Sequence, residues 1–184
     1  MTNRKNLQGF TLLELMITLS IVIILTTIGM PSFMELIRDG RLKSNASDVL
    51  TGLNFARSEA ITRNIQITVR SNNATASDWD NGWNIFTDFN GNGTCDDGCD
   101  ATNTGEDELL KSYGGVPQGF TLRTGGNFTT WMAYLPNGAS DASGPNNNDT
   151  FRLCGDNAST VSSRSITISL VGRPRVSKGT IGCS

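Results

Sequence analysis

The chain has 184 residues, of which 37% are hydrophobic and 17% are charged, and its formal net charge at pH 7 is -2. This length suits one domain with an ordinary core, and the charge balance excludes a generally basic protein that coats nucleic acid. The chain contains no histidine, which excludes Ser-His-Asp and Cys-His catalytic systems and imidazole metal ligands. Its many Gly, Asn, Asp, Ser and Thr residues indicate frequent turns and a β-rich body.

The N-terminal segment has the strongest pattern. Residues 1–9 are polar and include Arg4 and Lys5, whereas residues 10–30 are an apolar run whose one ionisable group is Glu14. An apolar helix of about 20 residues crosses a bilayer core of about 30 Å, so we predict a transmembrane helix preceded by a cytoplasmic N-terminus. A cleaved signal peptide is the alternative, but its apolar region would be about 7–15 residues and would end in a small-residue cleavage site.

Glu14 is unusual, because a carboxylate inside a spanning segment costs about 2.5–3.5 kcal/mol on insertion scales. No Lys or Arg lies between Lys5 and Arg38, whereas cleavage just before Phe10 would create an amine as a partner. The sequence GFTLLE at residues 9–14 resembles the processing motif of type IV prepilins. This resemblance implies that residues 1–9 are a leader, that prepilin peptidase cuts between Gly9 and Phe10, that Phe10 is N-methylated, and that Glu14 pairs with an N-terminal amine during filament assembly.

A second helical segment is predicted over residues 31–63. Pro31 ends the apolar run, and we expect it to kink the helix rather than end it, as in pilin-like helices. Glu59 and Arg63 have the spacing of a favourable i,i+4 ion pair. On the opposite side, apolar residues recur every three or four positions and form a stripe that we expect to cover a sheet: Ala46, Val49, Leu50, Leu53, Ala56 and Ala60.

Residues 64–184 are predicted to form a β-rich globular head. Six short segments resemble strands, since several alternate polar and apolar residues and most are bounded by turn residues: 64–70, 83–88, 119–124, 131–135, 150–154 and 164–171. No useful helical run separates them, so hairpin or meander connections are expected. Residues 137–149 are predicted to be a flexible loop. The predicted fold class is α+β, a long N-terminal helix packed on an antiparallel β-sheet body.

Four cysteines allow three pairings, and disulfides are expected because the predicted head is exported to an oxidising periplasm. A Cys154–Cys183 bridge would close about 30 residues and stabilise by roughly 3–4 kcal/mol in the chain-entropy model. A Cys95–Cys99 bridge would close a tight local loop. A zinc site of four cysteines is the alternative, although Cys154 and Cys183 do not form a matching knuckle. We predict the two bridges, no metal and no cofactor.

Residues 88–93, DFNGNG, match the opening of an EF-hand calcium loop. The pattern requires a bidentate Glu at its twelfth position, where this chain has Cys99, so any calcium affinity is expected to be weak. Asn and Gly also form hairpin turns at little cost. We favour a turn, and calcium binding stays open at this point.

The C-terminal segment 164–178 contains four cations, Arg164, Arg173, Arg175 and Lys178, and no acid. A turn at Gly172 would present two guanidinium groups, which clasp phosphates bidentately. No aromatic platform or helix N-terminus for reading bases is evident, so the expected contacts are sequence-independent and directed at a phosphate backbone. The alternative is a purely structural turn with Arg173 in a salt bridge.

The chain resembles the GspH/FimT/FimU group of minor pilins over its N-terminal helix, the segments 56–60 (ARSEA) and 151–154 (FRLC), and Gly172-Arg173. FimT-like members that bind DNA during natural transformation carry a G-R-x-R element, which Arg173 and Arg175 match. The resemblance implies a minor pilin of a type IV pilus that helps to initiate assembly and binds double-stranded DNA for uptake. The predicted DNA contacts are Arg164, Arg173, Arg175 and Lys178.

The implied partners are other major and minor pilins, prepilin peptidase and inner-membrane lipid. The implied location is a bacterial inner membrane, crossed once with the head in the periplasm, and then a pilus or pseudopilus. A GspH-like minor pseudopilin of type II secretion is the alternative, with the same helix and a head that contacts cargo or tip partners. The chain lacks histidine, a phosphate-binding loop and a convincing pair of carboxylates, so we predict that it is not an enzyme.

Overall fold

A computed structural model describes residues 10–96, 107–155 and 163–179. The chain divides into two compact units, Met1–Asp39 and Gly40–Ser184. A single helix, α1 (Leu12–Arg63), begins in the first unit and ends in the second. The helix continues through position 31 without a break in its secondary structure. Pro31 therefore does not end the helix, as predicted.

In the first unit, α1 exposes large apolar side chains along its length. Phe10, just before the helix, is 82% exposed, and most of the Leu, Ile, Val and Met residues between positions 12 and 37 are exposed as well. The helix is apolar on every side here, which is the pattern of a segment surrounded by lipid or by other helices rather than by water. Among the residues that the structure describes, no helix meets the combined length and hydropathy needed to cross a membrane.

In the second unit, α1 packs on the core through the predicted stripe. Five of its six members are buried and Leu50 is half-buried, while Leu42 extends the same face by one turn. The helix ends at Arg63, and Asn64 adopts a left-handed conformation with φ 56°, a common way to end a helix. The predicted Glu59–Arg63 ion pair is confirmed at 2.7 Å.

Arg63 also bonds Glu108 at 2.8 Å, so it joins the end of the helix to the sheet. Hydrogen bonds from Glu59 first and then Glu108 raise the pKa of Arg63 above its ordinary value. The side chain of Arg63 is well exposed, so these pairs mainly fix geometry and contribute little free energy.

The head contains nine strands among its described residues. They are β1 (Ile67–Ser71), β2 (Trp83–Thr87), β3 (Leu109–Tyr113), β4 (Thr121–Arg123), β5 (Trp131–Tyr134), β6 (Ser140–Ala142), β7 (Asp149–Cys154), β8 (Ser163–Ile168) and β9 (Pro174–Lys178). One sheet has the order β3-β2-β1-β5-β6 and the other has the order β4-β7-β8-β9. All pairings are antiparallel, which confirms the α+β class and the antiparallel sheets.

The core of the head is built on an aromatic cluster. Trp79 meets Phe151 edge-to-face at 4.9 Å between ring centroids, and Phe128 lies 5.8 Å from Phe151. The indole N–H of Trp79 donates to the carbonyl oxygen of Phe128 at 3.1 Å. This pairing satisfies the one polar atom of a fully buried tryptophan, as buried indoles require.

Three strands were not predicted from the sequence. The segment 137–149 is not a single flexible loop, because Ser140–Ala142 forms β6 and pairs with β5, and because Asp149 already belongs to β7. β3 has three half-buried and two exposed residues, and β9 exposes four of its five. Neither strand has the fully buried face that produces a period-two apolar pattern, so neither was predicted. All three are edge strands, held by main-chain hydrogen bonds on one side.

Candidate nucleic-acid interface

Strands β8 and β9 and the turn between them form one hairpin, residues 163–178, which we name the arginine hairpin. The Gly172 N–H donates to the Ser169 carbonyl at 2.7 Å, and the Ser169 N–H donates to the Arg173 carbonyl at 3.3 Å. Gly172 has φ 72°, so the loop is a three-residue type whose last position is left-handed. A β-carbon at Gly172 would also overlap the carbonyl oxygen of Gly138, so glycine is required there for two reasons.

Three of the four predicted cations lie in the strands of the hairpin, and they are divided between two sides of the sheet. Arg175 lies opposite Thr167, and Lys178 lies opposite Arg164. Because successive strand residues point to opposite faces, Arg164 shares the side of the buried core residue Ile166, whereas Thr167 and Arg175 lie on the outer side. The sequence cluster is therefore not one surface patch.

Arg173 and Arg175 are exposed. Within the described residues, the salt bridges are made by Arg63 and Arg123, and neither Arg173 nor Arg175 has an ion-pair partner. The predicted alternative, a salt-bridged Arg173, is not found in this part of the chain. Two guanidinium groups on one turn and the following strand are thus available for bidentate contacts with phosphate oxygens.

Arg164 requires a correction. It is only 7% exposed, and its Nη1 donates to the main-chain carbonyl of Ser163 at 2.9 Å. A cation held in this way cannot reach a phosphate without leaving the protein interior, so we remove Arg164 from the predicted contacts. Lys178 is exposed, but it lies on the other side of the strand from Arg175.

A residue that the sequence did not suggest supports the turn. The side chain of Arg57 in α1 donates from Nε to the Gly138 carbonyl at 2.9 Å and from Nη2 to the Val171 carbonyl at 3.1 Å. Its position within ARSEA, one of the segments that carries the family resemblance, was the one available signal. Beside it the tip of the hairpin is apolar, with Leu170 61% exposed and Val171 66% exposed.

The predicted processing and assembly site lies at the start of α1. Gly9 lies outside the described residues, and Phe10 is exposed. The Glu14 N–H donates to Oγ1 of Thr11 at 3.3 Å, so Thr11 caps the helix. The Glu14 side chain is exposed, and no cation of the described chain forms an ion pair with it. These roles stay predictions.

The two disulfide predictions fall partly outside the described residues. Cys95 and Cys154 are both disulfide-bonded, and no described cysteine is free. Cys99 and Cys183, the partners predicted for them, lie in undescribed segments, so the two pairings also stay predictions.

In the candidate calcium loop, both oxygens of the first acid already accept hydrogen bonds from the protein. Asp88 is 1% exposed; its Oδ1 accepts from the Gly91 and Asn92 amides at 2.7 and 3.1 Å. Its Oδ2 accepts from the Thr68 hydroxyl at 2.6 Å and from the Gly93 amide at 2.9 Å. Calcium would have to displace these donors, so the turn interpretation is favoured. Over the described ranges, no group of three or more His, Cys, Asp or Glu residues is placed to hold a metal.

Comparisons with known proteins agree with this architecture. Residues 45–172 match the model of a family described as type II transport protein GspH, and residues 4–30 match the prokaryotic N-terminal methylation motif. No match was found among curated proteins.

Two crystal structures of the type IV minor pilin FimU from Pseudomonas aeruginosa are similar in fold. One has a TM-score of 0.59 at 20% identity and covers 79% of this chain and 96% of its own. The other has a TM-score of 0.54 at 21% identity and covers 78% of this chain and 100% of its own.

Proposed function

This chain belongs to the GspH family, and we propose that it is a minor pilin of a type IV pilus that helps to initiate assembly and binds double-stranded DNA. In this proposal, prepilin peptidase removes residues 1–9 and Phe10 becomes the N-methylated first residue. Residues 10–30 anchor the subunit in the inner membrane, with the head in the periplasm, until the subunit joins other pilins. We propose no catalytic activity.

The assembly part of the proposal is supported by the N-terminal methylation motif over residues 4–30 and by the exposed apolar surface of α1 in the first unit. Large apolar side chains exposed on all sides of a helix are costly in water, at about 25 cal/mol per Å². Lipid or the helices of neighbouring pilins would remove that cost. Glu14 is exposed and could then accept an N-terminal ammonium group.

Mass spectrometry of the full-length protein recovered from cells tests the processing step. We expect the wild-type protein to begin at Phe10 with one added methyl group, and a Gly9→Val variant to retain Met1. Gly29→Ala is a matched control, because a β-carbon there meets nothing within 4 Å. Normal processing of the Gly9 variant, or loss of all residues through Met30 from the wild type, would contradict the proposal.

The DNA part of the proposal depends on one observation, the exposure of Arg173 and Arg175 on the arginine hairpin without ion-pair partners in the described chain. The protein is acidic, with a net charge of -2, so a diffuse attraction to DNA is not expected. A local pair of guanidinium groups would bind phosphates without reading sequence. Affinity should therefore fall steeply with salt.

The test uses the full-length mature protein in detergent and a random-sequence DNA duplex, titrated by fluorescence anisotropy at several salt concentrations. An Arg173→Ala/Arg175→Ala variant should bind at least about tenfold more weakly and lower the slope of log K against log salt by about 2. An Arg41→Ala/Lys43→Ala variant removes the same charge from exposed helix positions and should bind as the wild type does. Equal losses in both variants, or no binding by the wild type at low salt, would reject DNA binding.

A pseudopilin of type II secretion is the second candidate, favoured by the type II transport description of the matched family. The exposed apolar pair Leu170 and Val171 would suit a protein partner on the same hairpin. Deletion of the gene distinguishes the two functions. Loss of pili and of DNA uptake supports the pilus assignment, whereas loss of protein secretion with intact pili supports the pseudopilin.

A further inference from the structure

Two turns from distant parts of the chain contact each other at the tip of the arginine hairpin. The first is the turn of the hairpin itself, residues 169–173. The second joins β5 to β6, where the Leu135 N–H donates to the Ala139 carbonyl at 2.9 Å and the Gly138 N–H donates to the Leu135 carbonyl at 2.8 Å. Gly172 fits against the Gly138 carbonyl, since a β-carbon at Gly172 would overlap that oxygen. The contact is therefore main chain against main chain.

Arg57 joins these two turns. Its Nε donates to the Gly138 carbonyl at 2.9 Å, and its Nη2 donates to the Val171 carbonyl at 3.1 Å. Both carbonyls lie in turns, where a strand-to-strand ladder does not use them. The guanidinium group donates from two nitrogens held in one rigid plane, whereas lysine has a single nitrogen on a flexible stem, so lysine does not reproduce this bridge.

The other side of the hairpin turn is held by β6. The Ser140 N–H donates to the Leu170 carbonyl at 3.4 Å. The single hydroxyl proton of Ser140 is shared between the Asn147 carbonyl, which is the nearer acceptor, and the Ser169 carbonyl at 3.0 Å. Arg57 and β6 thus fix the carbonyl groups of three successive residues, Ser169, Leu170 and Val171. Arg173 follows Val171 by two residues, so these bonds hold the main chain that leads into it.

Within the described chain, no carboxylate forms a salt bridge with Arg57. Its side chain is half-buried, and the two bonds given above direct it toward main-chain oxygens. Charge-assisted bonds of this kind are stronger than those between neutral groups. Arg57 is therefore placed to hold the turn in one conformation.

We propose that Arg57 is a positioning residue that holds the arginine hairpin in the conformation in which Arg173 and Arg175 bind DNA. This inference rests on the proposed DNA binding and adds to it a residue on α1 that contacts no DNA. A bound polyanion then meets two arginines already oriented, because their turn is fixed before binding.

The experiment combines amide hydrogen exchange with DNA titration on the full-length mature protein in detergent. In Arg57→Lys and Arg57→Ala, the amides of Ser169 and Gly172 should exchange at least about tenfold faster, because local opening of the turn no longer breaks the Arg57 bonds. Amides in β1 should keep their wild-type protection, which shows that the head remains folded. Arg41→Ala removes an exposed arginine of the same helix and should leave the turn unchanged.

The DNA titration separates positioning from direct contact. Arg57→Lys keeps the net charge, so a roughly fivefold weaker affinity with an unchanged slope of log K against log salt supports positioning. A slope lowered by about 1 in Arg57→Ala would mean that Arg57 itself contacts a phosphate, which overturns the inference. Unchanged exchange at Ser169 and Gly172, or faster exchange with unchanged affinity, overturns it as well.

The failure of the proposed function is recognised separately. If the wild-type protein does not bind DNA at low salt, DNA binding is rejected, and the positioning role for DNA is rejected with it. The exchange rates still decide whether Arg57 holds the turn, because that measurement needs no DNA.

Discussion

Two turns of the head carry a motif that suggests ligand binding in the sequence, and they differ completely in the structure. The Asp88 loop (residues 88–93) and the turn of the arginine hairpin both contain a glycine with φ 72°, Gly91 and Gly172. Asp88 is buried, and its carboxylate accepts hydrogen bonds from the amides of its own loop. Arg173 is exposed, and no residue in the described part of the chain accepts a hydrogen bond from its guanidinium group.

The difference has a simple physical cause. A turn with left-handed residues points several N–H groups toward one side. An acid at the start of such a turn accepts hydrogen bonds from these groups, so it is buried and has a structural role. The carbonyl groups of the arginine hairpin turn could have drawn Arg173 inward in the same way. They are instead occupied by Arg57 and Ser140, and Arg173 is left at the surface. A charged residue beside a glycine turn therefore indicates a binding site only when other side chains of the fold bond the main-chain groups of that turn.

The largest effect is expected when Asp88, the buried residue of this comparison, is replaced. Asp88→Ala should lower the free energy of unfolding by about 3 kcal/mol or more, because each stranded buried donor costs about 1–3 kcal/mol. Asp88→Asn should lower it less, since the amide oxygen can still accept some of these bonds. Urea denaturation followed by tryptophan fluorescence measures both changes.

Asp48→Asn provides the control for Asp88, because it removes an acid from an exposed helix position and should change stability by less than about 0.5 kcal/mol. A calcium-dependent rise in the stability of the wild type, absent in Asp88→Asn, would contradict the structural interpretation of the loop. It would instead show that the loop opens to bind the ion.

A smaller effect is expected at the turn of the arginine hairpin. Gly172→Ala places a β-carbon on a left-handed residue and against the Gly138 carbonyl, so it should cost about 2 kcal/mol of stability. DNA affinity should also fall, although no charge has changed. Gly126→Ala is the matched control, since a β-carbon there meets nothing within 4 Å. Equal stability of the two variants would show that the turn does not depend on the close approach of its neighbour.

Local features of the fold were predictable because they depend on residues close together in the sequence. The buried stripe on α1 follows from helical periodicity, and the Glu59–Arg63 pair follows from i,i+4 spacing. The core strands β1, β2, β5, β7 and β8 each carry enough apolar residues to be recognised. β6 was not predictable, since its residues SDA pair through the main chain and give no hydrophobic signal.

The candidate site was predictable in its residue types but not in its geometry. The predicted strand 164–171 ends three residues beyond the observed end of β8 at Ile168. The position of the turn sets the register with β9, and only that register shows that Arg164 and Arg175 lie on opposite faces. The contacts of Arg57 join residues 81 and 114 positions apart, and no local pattern encodes them.

The smallest expected effect concerns Tyr134, which lies beneath the hairpin turn beside Gly172. Its ring is fully buried, and its hydroxyl has no hydrogen-bond partner among the described residues. Burial raises the pKa of the Tyr134 hydroxyl above its ordinary value, and the nearby charge of Arg57 opposes that rise. Tyr134→Phe removes the unpaired oxygen and should stabilise the head by about 1 kcal/mol at pH 8.

The advantage of the Tyr134→Phe variant should grow above pH 10. There the tyrosine of the unfolded wild-type chain loses its proton, while the buried hydroxyl of the folded chain, with its raised pKa, keeps it. The unfolded state then binds fewer protons than the folded state, so wild-type stability falls by up to about 1.4 kcal/mol per pH unit relative to the variant. Urea denaturation at pH 8 and pH 11 measures this difference. An equal difference at both pH values would mean that the hydroxyl ionises as readily in the folded chain as in the unfolded chain. The Tyr134 side chain would then be open to solvent rather than packed against Gly172.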